Sequence, residues 1–314
     1  MPIPTHLSSL LTTLLSVFFI FNMSACTEKT ELKPMTTTVP IASDGVIIPP
    51  DAIVTAAKPA KKSLQLPQKR PIYNQAYQEN YDADTVDAIL QSARNAYVLI
   101  DPFQLNADVM DSIAAIKAKA NQVACYISVG TGENWRSDFK EMQPYLVKKQ
   151  WGEWEGEYFV ADTTTGIFDI MKKRVDNMAA WGCDWVEFDN MDWTADDDYR
   201  EEYQFSATLQ DSVDYMRNLC DYVKVKQMQC MAKNTVDHYE NFDGVLYESY
   251  HDEKNWWDQA GAQQFLDAGK LVIINHYNEA QCDQVYKEYK GLYNDNISFI
   301  CENLQNYKYR HYNQ

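Results

Sequence analysis

The sequence predicts an α/β fold, a single (β/α)₈ or TIM barrel over residues 71–314. About 245 residues remain after an N-terminal leader and a polar segment are set aside, which is the size of one such barrel. Eight short apolar runs follow one another from Pro71 onward, and a longer segment with helical periodicity follows each of them. Alternating strands and helices form a parallel sheet, and eight such units close it into a barrel.

The eight predicted strands are short, apolar and rich in residues that favour strands. They lie near Ile72 to Tyr77, Ala96 to Asp101, Gln122 to Ser128, Asp184 to Asp189, Met228 to Lys233, Gly244 to Glu248, Leu271 to His276 and Ile297 to Cys301. In the clearest helical segments, apolar residues recur three and four positions apart, as in helices that pack on a sheet. These segments are Ala107 to Ala120, Ile167 to Trp181, Ser206 to Val225 and Asp258 to Ala268.

Residues 1–26 are predicted to be a signal peptide. The mostly apolar stretch from Leu7 to Met23 is short and rich in Ser and Thr, and small residues precede Cys26. Met23 to Cys26 resembles a bacterial lipobox, so we expect an exported lipoprotein that contacts the membrane only through a lipid anchor on Cys26. Plain secretion is the alternative. Residues 27–70 have little hydrophobic periodicity and are predicted to be a polar tether.

The remaining cysteines and histidines predict neither a metal site nor a cofactor. Five His are scattered along the chain, no Gly-rich phosphate loop follows a strand, and the Cys spacing matches no zinc motif. An even count of six allows one or two disulfides in an oxidising compartment. Several of these cysteines lie in apolar strands, however, which favours buried free thiols. They are Cys125, Cys183, Cys220, Cys230, Cys282 and Cys301.

The charge balance restricts the partners that the protein can have. With 45 acidic and 28 basic residues, the net charge is −17, which repels nucleic acid and anionic lipid surfaces. The same charge suits a cationic substrate, or it simply keeps an exported protein soluble. We expect a monomer that binds no nucleic acid.

Polar residues close six of the eight predicted strands. Barrel enzymes carry their chemistry at this end of the strands, so the pattern predicts a functional pocket there. The strand ends are Asp101, Ser128 to Gly130, Asp189-Asn190, Lys233-Asn234, Glu248, and Asn275 to Tyr277.

Two of these strand ends carry carboxylates that could act as a pair. Asp189 closes strand four and Glu248 closes strand six, and both ends face a common pocket, as paired-carboxylate hydrolysis of a glycosidic bond requires. The alternative is two unrelated acids on a rim. Glu187 shares a face with Asp189 one layer deeper, where it would need a cation such as Lys233 or Arg174.

Seven ordered motifs together resemble glycoside hydrolase family 114, whose named activity is endo-α-1,4-polygalactosaminidase. The resemblance covers about Tyr97 to Tyr277, and its motifs are Val98 to Asp101, Cys125 to Gly130, Asn134 to Asp138, Trp154 to Glu157, Asp184 to Asp192, Lys233-Asn234, and Phe242 to Glu248.

The resemblance implies that Asp189 and Glu248 form the catalytic pair, and that the substrate is a partly deacetylated galactosamine polymer. It also implies a pocket lined by Asp101, Tyr126, Asp162, Asn190, Asp192, Lys233, Asn234 and Tyr277. Helix capping and turn formation are the alternative roles for Asp192 and Asn190. Trp135, one of several aromatics that follow strand ends, could stack on a sugar ring.

We therefore expect a tethered, endo-acting, retaining glycoside hydrolase for amino-sugar polymers, with Asp189 as nucleophile and Glu248 as general acid/base. Two alternatives remain open at this stage. One is a non-catalytic carbohydrate-binding lipoprotein on the same barrel, in which the two carboxylates would stand too far apart to act together. The other is a glycosidase of different sugar specificity.

Overall fold

The computed structural model describes residues 69–74, 83–104, 108–249, 259–277, 281–303 and 308–312, all within one compact unit, Lys61–Gln314. The predicted signal peptide, Cys26 and all but the last two residues of the predicted tether lie outside the described residues. No helix in these ranges is long and apolar enough to cross a membrane.

The described residues contain eleven strands and eight α-helices. The strands are β1 Ile72–Asn74, β2 Tyr97–Ile100, β3 Gln122–Ser128, β4 Thr131–Glu133, β5 Glu157–Phe159, β6 Trp185–Asp189, β7 Gln229–Lys233, β8 Gly244–Ser249, β9 Leu271–His276, β10 Ser298–Asn303 and β11 Lys308–His311. The helices are α1 Ala83–Ser92, α2 Val109–Lys117, α3 Phe139–Met142, α4 Ile167–Trp181, α5 Asp197–Glu202, α6 Leu209–Val225, α7 Gln259–Asp267 and α8 Cys282–Tyr293. Three 3-10 helices are Gln143–Tyr145, Trp193–Ala195 and Asn294–Asn296.

Eight parallel strands form a nearly closed barrel, which confirms the predicted (β/α)₈ fold. They pair in the order β1, β2, β3, β6, β7, β8, β9, β10, and β11 adds to β10 in antiparallel orientation. The first and last parallel strands come together at Arg70, whose backbone N–H donates to Ser298 Oγ at 3.0 Å. The register sets Ser128 beside Asp189 and Glu248 beside Asn275, so the polar strand ends lie at one rim.

Local sequence explains where the main helices begin and end. Thr208 caps α6 in a capping box, because its hydroxyl accepts from the Asp211 N–H while the Asp211 carboxylate accepts from the Thr208 N–H. Gly182 ends α4 at φ 89°, a left-handed conformation that favours glycine. These local signals fix where α6 begins and where α4 ends.

Apolar side chains fill the barrel and the space between the barrel and its helices. Alternate residues of each strand point inward, and their side chains form a separate buried cluster inside the barrel. Its members are Ile72, Tyr97, Leu99, Ala124, Tyr126, Trp185, Met231, Leu246, Leu271, Ile273 and Ile300. The residues of opposite parity pack against the helices in a second, larger cluster.

Predicted strands two to eight agree with the structure to within two residues at each end. The first begins at Ile72 as predicted, and residues 75–77 of it lie outside the described residues. The expected helix after strand five is wrong: residues 234–243 join β7 to β8 without an α-helix, because so short a segment leaves no room for a helix that packs on the barrel. The β4–β5 hairpin was not predicted.

All six cysteines of the barrel are paired, so the expectation of buried free thiols is wrong. Neighbouring strands and helices bring pairs together from distant sequence positions, with Cα–Cα distances of 5.5–6.1 Å, the usual range for a disulfide. Sequence spacing alone does not reveal such proximity. The pairs are Cys125–Cys183, Cys220–Cys230 and Cys282–Cys301.

Candidate active site

Three consecutive barrel strands supply the centre of the candidate site. Asp189 ends β6, Lys233 ends β7, and Glu248 stands next to the end of β8. The sequence predicted that β6 and β8 would not be neighbours, and the structure has β7 between them. The side chain at the end of the middle strand is therefore placed between the two carboxylates.

Lys233 contacts both carboxylates. Its ammonium Nζ lies 2.8 Å from Asp189 Oδ1 and 3.3 Å from Glu248 Oε2. The two oxygens can therefore be no farther apart than the sum of these contacts, about 6 Å. Burial alone would lower the pKa of Lys233, but the two carboxylates outweigh it and raise that pKa well above its usual value. The ammonium is thus charged at every working pH.

Two further donors fix the Asp189 carboxylate. The Tyr126 hydroxyl on β3 donates to Oδ2 at 2.8 Å, and the backbone N–H of Asn190 donates to Oδ1 at 2.8 Å. Burial, and next the Asp189 charge, raise the pKa of Tyr126 well above 10, so this hydroxyl keeps its proton and remains a donor. Three donors that converge on one carboxylate fix its orientation.

Glu248 is held by residues from β7 and β9. Tyr277 OH donates to Oε1 at 2.6 Å, and Asn234 Nδ2 donates to Oε2 at 3.0 Å. Asn234 Oδ1 also accepts a hydrogen bond from the backbone N–H of Glu248 at 2.9 Å, so Asn234 holds both the backbone and the side chain of Glu248. Asn275 Nδ2 in turn donates to Tyr277 OH at 3.0 Å. The predicted residues Lys233, Asn234 and Tyr277 are thus all brought to Glu248.

Two more acids face the Lys233 ammonium. Glu187 is fully buried one layer below Asp189, and its charge acts on Lys233, one of its two candidate cations. Arg174, the other, pairs with Asp138 at 2.7 Å. Asp192 follows β6, and its side chain makes no helix-cap hydrogen bond. Burial, and next the charge of Asp189, raise the pKa of Asp192 to about 7.

Asp101 lies in a buried ion-pair cluster. Its carboxylate is 1% exposed and pairs with Arg136 at 2.7 Å, and Arg136 also binds Glu133 at 2.7 Å. The guanidinium lies 5.9 Å from the centre of the Tyr126 ring. Asp101 thus supports Tyr126 through Arg136, and its contact with substrate stays a prediction. The residue types alone did not reveal this role of Arg136, although it belongs to one of the quoted motifs.

Asn190 is adjacent to Asp189, but its side chain points into a buried network. Its Nδ2 group donates to Ser128 Oγ at 2.9 Å, Thr131 Oγ1 at 3.1 Å and Glu157 Oε2 at 3.3 Å. The backbone of Asn190 is left-handed, with φ 58°, so the turn-forming role expected as an alternative is the one that the geometry supports. Glu157 was not singled out as a site residue, because its approach to Asn190 depends on the unpredicted hairpin.

The two remaining predicted site residues, Asp162 and Trp135, have no hydrogen bond or ion pair to Asp189, Lys233 or Glu248 among the contacts of the described residues. Asp162 accepts hydrogen bonds from Thr164 N and Oγ1 and from Thr165 Oγ1, which fold the loop before α4. Trp135 begins the loop between β4 and β5 and is 48% exposed, so one of its faces is accessible to a ligand. Among the described residues, no cluster of His, Cys, Asp and Glu is arranged to bind a metal ion.

The barrel, the paired carboxylates at its rim and the match to a family model define the class of this protein, which is a glycoside hydrolase. The chain belongs to glycoside hydrolase family GH114, whose model matches residues 57–313. No curated protein matches the chain.

Solved structures show the same fold. Aspergillus fumigatus Ega3, in complex with galactosamine, is 20% identical with a TM-score of 0.60, and the match covers 80% of this chain and 98% of that one. The glycoside hydrolase domain of PelA from Pseudomonas aeruginosa is 12% identical with a TM-score of 0.57, and the match covers 78% of this chain and 98% of that one. At these identities the similarity establishes the fold alone.

Proposed function

We propose that this glycoside hydrolase cleaves α-1,4-linked galactosamine-containing polysaccharide within the chain, and that it retains the anomeric configuration. The proposal depends chiefly on the contact of one ammonium, Lys233, with both carboxylates. Carboxyl groups about 5–5.5 Å apart are typical of retaining enzymes, and about 6.5–9.5 Å of inverting ones. The two lysine-bound oxygens are at most about 6 Å apart, which places the carboxylates close enough to act on one sugar ring and allows the retaining separation. A binding protein would need no such pairing.

In the first step, the Asp189 carboxylate attacks the anomeric carbon while Glu248 donates a proton to the departing glycosidic oxygen. The bond from the anomeric carbon to that oxygen breaks, and an ester bond to Asp189 forms. The donors on Asp189 hold its attacking oxygen in place, which supplies the orientation that the step requires.

In the second step, Glu248 takes a proton from water, and the water oxygen attacks the same carbon and releases Asp189. Lys233 suits the second step. While Asp189 is esterified it carries no charge, so the ammonium then pairs more strongly with Glu248 and stabilises the carboxylate that must act as base. Two inversions at one carbon restore the original configuration.

The charge of the site favours an amino sugar. Asp189, Glu248, Asp192 and Glu187 face a single ammonium, so negative charge exceeds positive charge at the centre. A bound galactosamine ammonium would offset this excess and favour the ionised form of Asp192, whose pKa of about 7 allows it to respond near neutrality. Ega3 was solved with galactosamine, which supports the same sugar class.

The decisive experiment incubates the purified protein with galactosaminan, chitosan and neutral α-glucans, and follows product size over time. We expect oligosaccharides of intermediate length from galactosaminan alone at early times, as endo cleavage produces. Asp189→Asn and Glu248→Gln should each lower turnover by at least about 10³-fold. Cleavage of the neutral glucans instead would contradict the proposed substrate, and near-normal turnover in either variant would contradict the proposed pair.

We further propose export and lipid anchoring at Cys26, on the strength of the lipobox-like sequence at Met23 to Cys26. Cys26→Ala should move the protein from the membrane fraction to the soluble fraction and abolish labelling by a fatty acid. Equal labelling of both forms would contradict the anchor.

A further inference from the structure

A chain of hydrogen bonds ties the β4–β5 hairpin to the end of β6. Asn190 Nδ2 donates to Ser128 Oγ, the Ser128 and Thr131 hydroxyls are 2.6 Å apart, and Thr131 Oγ1 donates to Glu157 Oε2 at 2.5 Å. Ser128 and Thr131 are fully buried, and Glu157 is 6% exposed. Thr131 Oγ1 and Asn190 Nδ2 both donate to Glu157 Oε2, so this carboxyl oxygen joins the two residues.

The same chain reaches Asp189 through Asn190. Asn190 stands in a left-handed turn, and this turn directs its backbone N–H to Asp189 Oδ1 at 2.8 Å. Beside it, the backbone N–H groups of Val129 and Gly130 donate to Asp189 O at 3.0 and 3.3 Å. A side chain at Gly130 would bring a Cβ within 1.7 Å of Asn190 O. The turn is therefore tightly packed, and the Asn190 side chain connects it to Thr131 and Glu157 of the hairpin.

Charged and titratable groups from four strands face Glu157. They are Glu133 on β4, Asp189 on β6, Lys233 on β7 and the Tyr126 hydroxyl on β3. Burial is the largest effect on the pKa of Glu157; the Thr131 hydrogen bond and Lys233 lower this pKa, Glu133 and Asp189 raise it, and the net pKa is about 8. Glu157 is consequently a neutral acid at pH 7, and its ionisation would add a negative charge close to Asp189.

We propose that Glu157 is a positioning residue for Asp189: Glu157 accepts a hydrogen bond from Asn190 and holds it, and Asn190 fixes the turn that aims the Asp189 carboxylate. The inference rests on the proposed role of Asp189 as nucleophile. The hairpin that carries Glu157 also carries the loop of residues 134–156, which includes the exposed Trp135 and Trp154. Glu157 thus couples the position of this loop to the geometry of the nucleophile.

Two substitutions test the proposal, with steady-state kinetics on galactosaminan between pH 5 and pH 9. Glu157→Gln keeps an acceptor oxygen and mimics the neutral acid, whereas Glu157→Ala removes the acceptor. We expect the alanine variant to lose at least about tenfold in kcat with KM changed less than about twofold, since substrate contacts remain intact. The glutamine variant should restore kcat to within about threefold of wild type at pH 6, and should retain activity above about pH 8, where wild type declines.

Glu141→Gln is the matched control, because it makes the same change at an exposed acid of α3, in the segment that joins β4 to β5. It should leave kcat and its pH dependence unchanged. Thermal unfolding of each variant shows whether it is folded. If Glu157→Ala does not fold, the pH dependence of kcat in Glu157→Gln tests the positioning role by itself.

Wild-type kcat in Glu157→Ala would overturn the inference, as would a glutamine variant whose alkaline decline coincides with that of wild type. Asp189→Asn is measured alongside these variants. If it remains active, the proposed nucleophile fails, whereas an inactive Asp189→Asn with a normal Glu157→Ala refutes only the positioning role.

Discussion

Replacing Lys233 by Met tests the electrostatic centre of the site. Met has a similar length but no charge, so the variant loses the contacts to Asp189 at 2.8 Å and to Glu248 at 3.3 Å. A hydrogen bond to a charged group contributes about 1.5–3 kcal/mol, and two of them therefore about 3–6 kcal/mol. Because a tenfold change in rate corresponds to about 1.4 kcal/mol, we expect kcat/KM to fall by about 10²- to 10⁴-fold.

The same substitution should also lower stability, because it leaves buried carboxylates without their cation, at a cost of about 3–5 kcal/mol. Initial rates on galactosaminan and urea unfolding of the same samples separate the two effects. Lys149→Met is the control: its ion pair with Glu202 at 2.5 Å is exposed and screened by solvent, so stability and kcat/KM should stay close to those of wild type. A folded Lys233→Met protein that retained more than a third of wild-type kcat/KM would refute the reasoning.

Three further predictions concern the support of the site. Folded Glu157 keeps its proton up to about pH 8, whereas the unfolded chain loses it near pH 4.5. The free energy of unfolding should therefore fall by about 1.4 kcal/mol per pH unit as the pH rises between these values. Urea unfolding of Glu157→Gln should lack this slope. Gly130→Ala should unfold at a much lower temperature and lose activity, whereas Gly152→Ala, where a Cβ meets nothing within 4 Å, should behave as wild type. Replacing Cys125 and Cys183 together by Ala opens a loop of 58 residues and should cost about 4 kcal/mol in urea unfolding; a loss below about 1 kcal/mol would contradict the pairing.

The sequence predicted the barrel because strand and helix periodicities are local signals. Alternation along β6 placed Glu187 and Asp189 on the inward face, and the polar strand ends at Asp189, Lys233 and Glu248 placed the site at one rim. Family motifs then singled out Asp189 and Glu248. The sequence predicted that the strand of Lys233 lies between the strands of Asp189 and Glu248. It did not predict that the Lys233 side chain contacts both carboxylates.

What the sequence did not predict depends on tertiary contacts. Glu133 and Glu157 face each other across the β4–β5 hairpin, whose strands have only three residues each and are separated by residues 134–156. Such short strands carry too little periodicity to be recognised. Without that pairing, neither the contact of Glu157 with Asn190 nor the ion pair of Arg136 with Asp101 could be foreseen. The cysteine count allowed one or two disulfides and three form, because their pairing depends on tertiary contacts that the spacing does not show.

The joint action of Asp189 and Glu248 is tested most directly by trapping the intermediate. Glu248→Gln incubated with an α-galactosaminyl fluoride should complete the first step, because fluoride leaves without help from an acid, and should stall at the second, which needs the base. Mass spectrometry should then find one glycosyl unit on the peptide that contains Asp189, and none when Asp189 is Asn. Fluoride release without an adduct, together with a product of inverted configuration, would contradict the account.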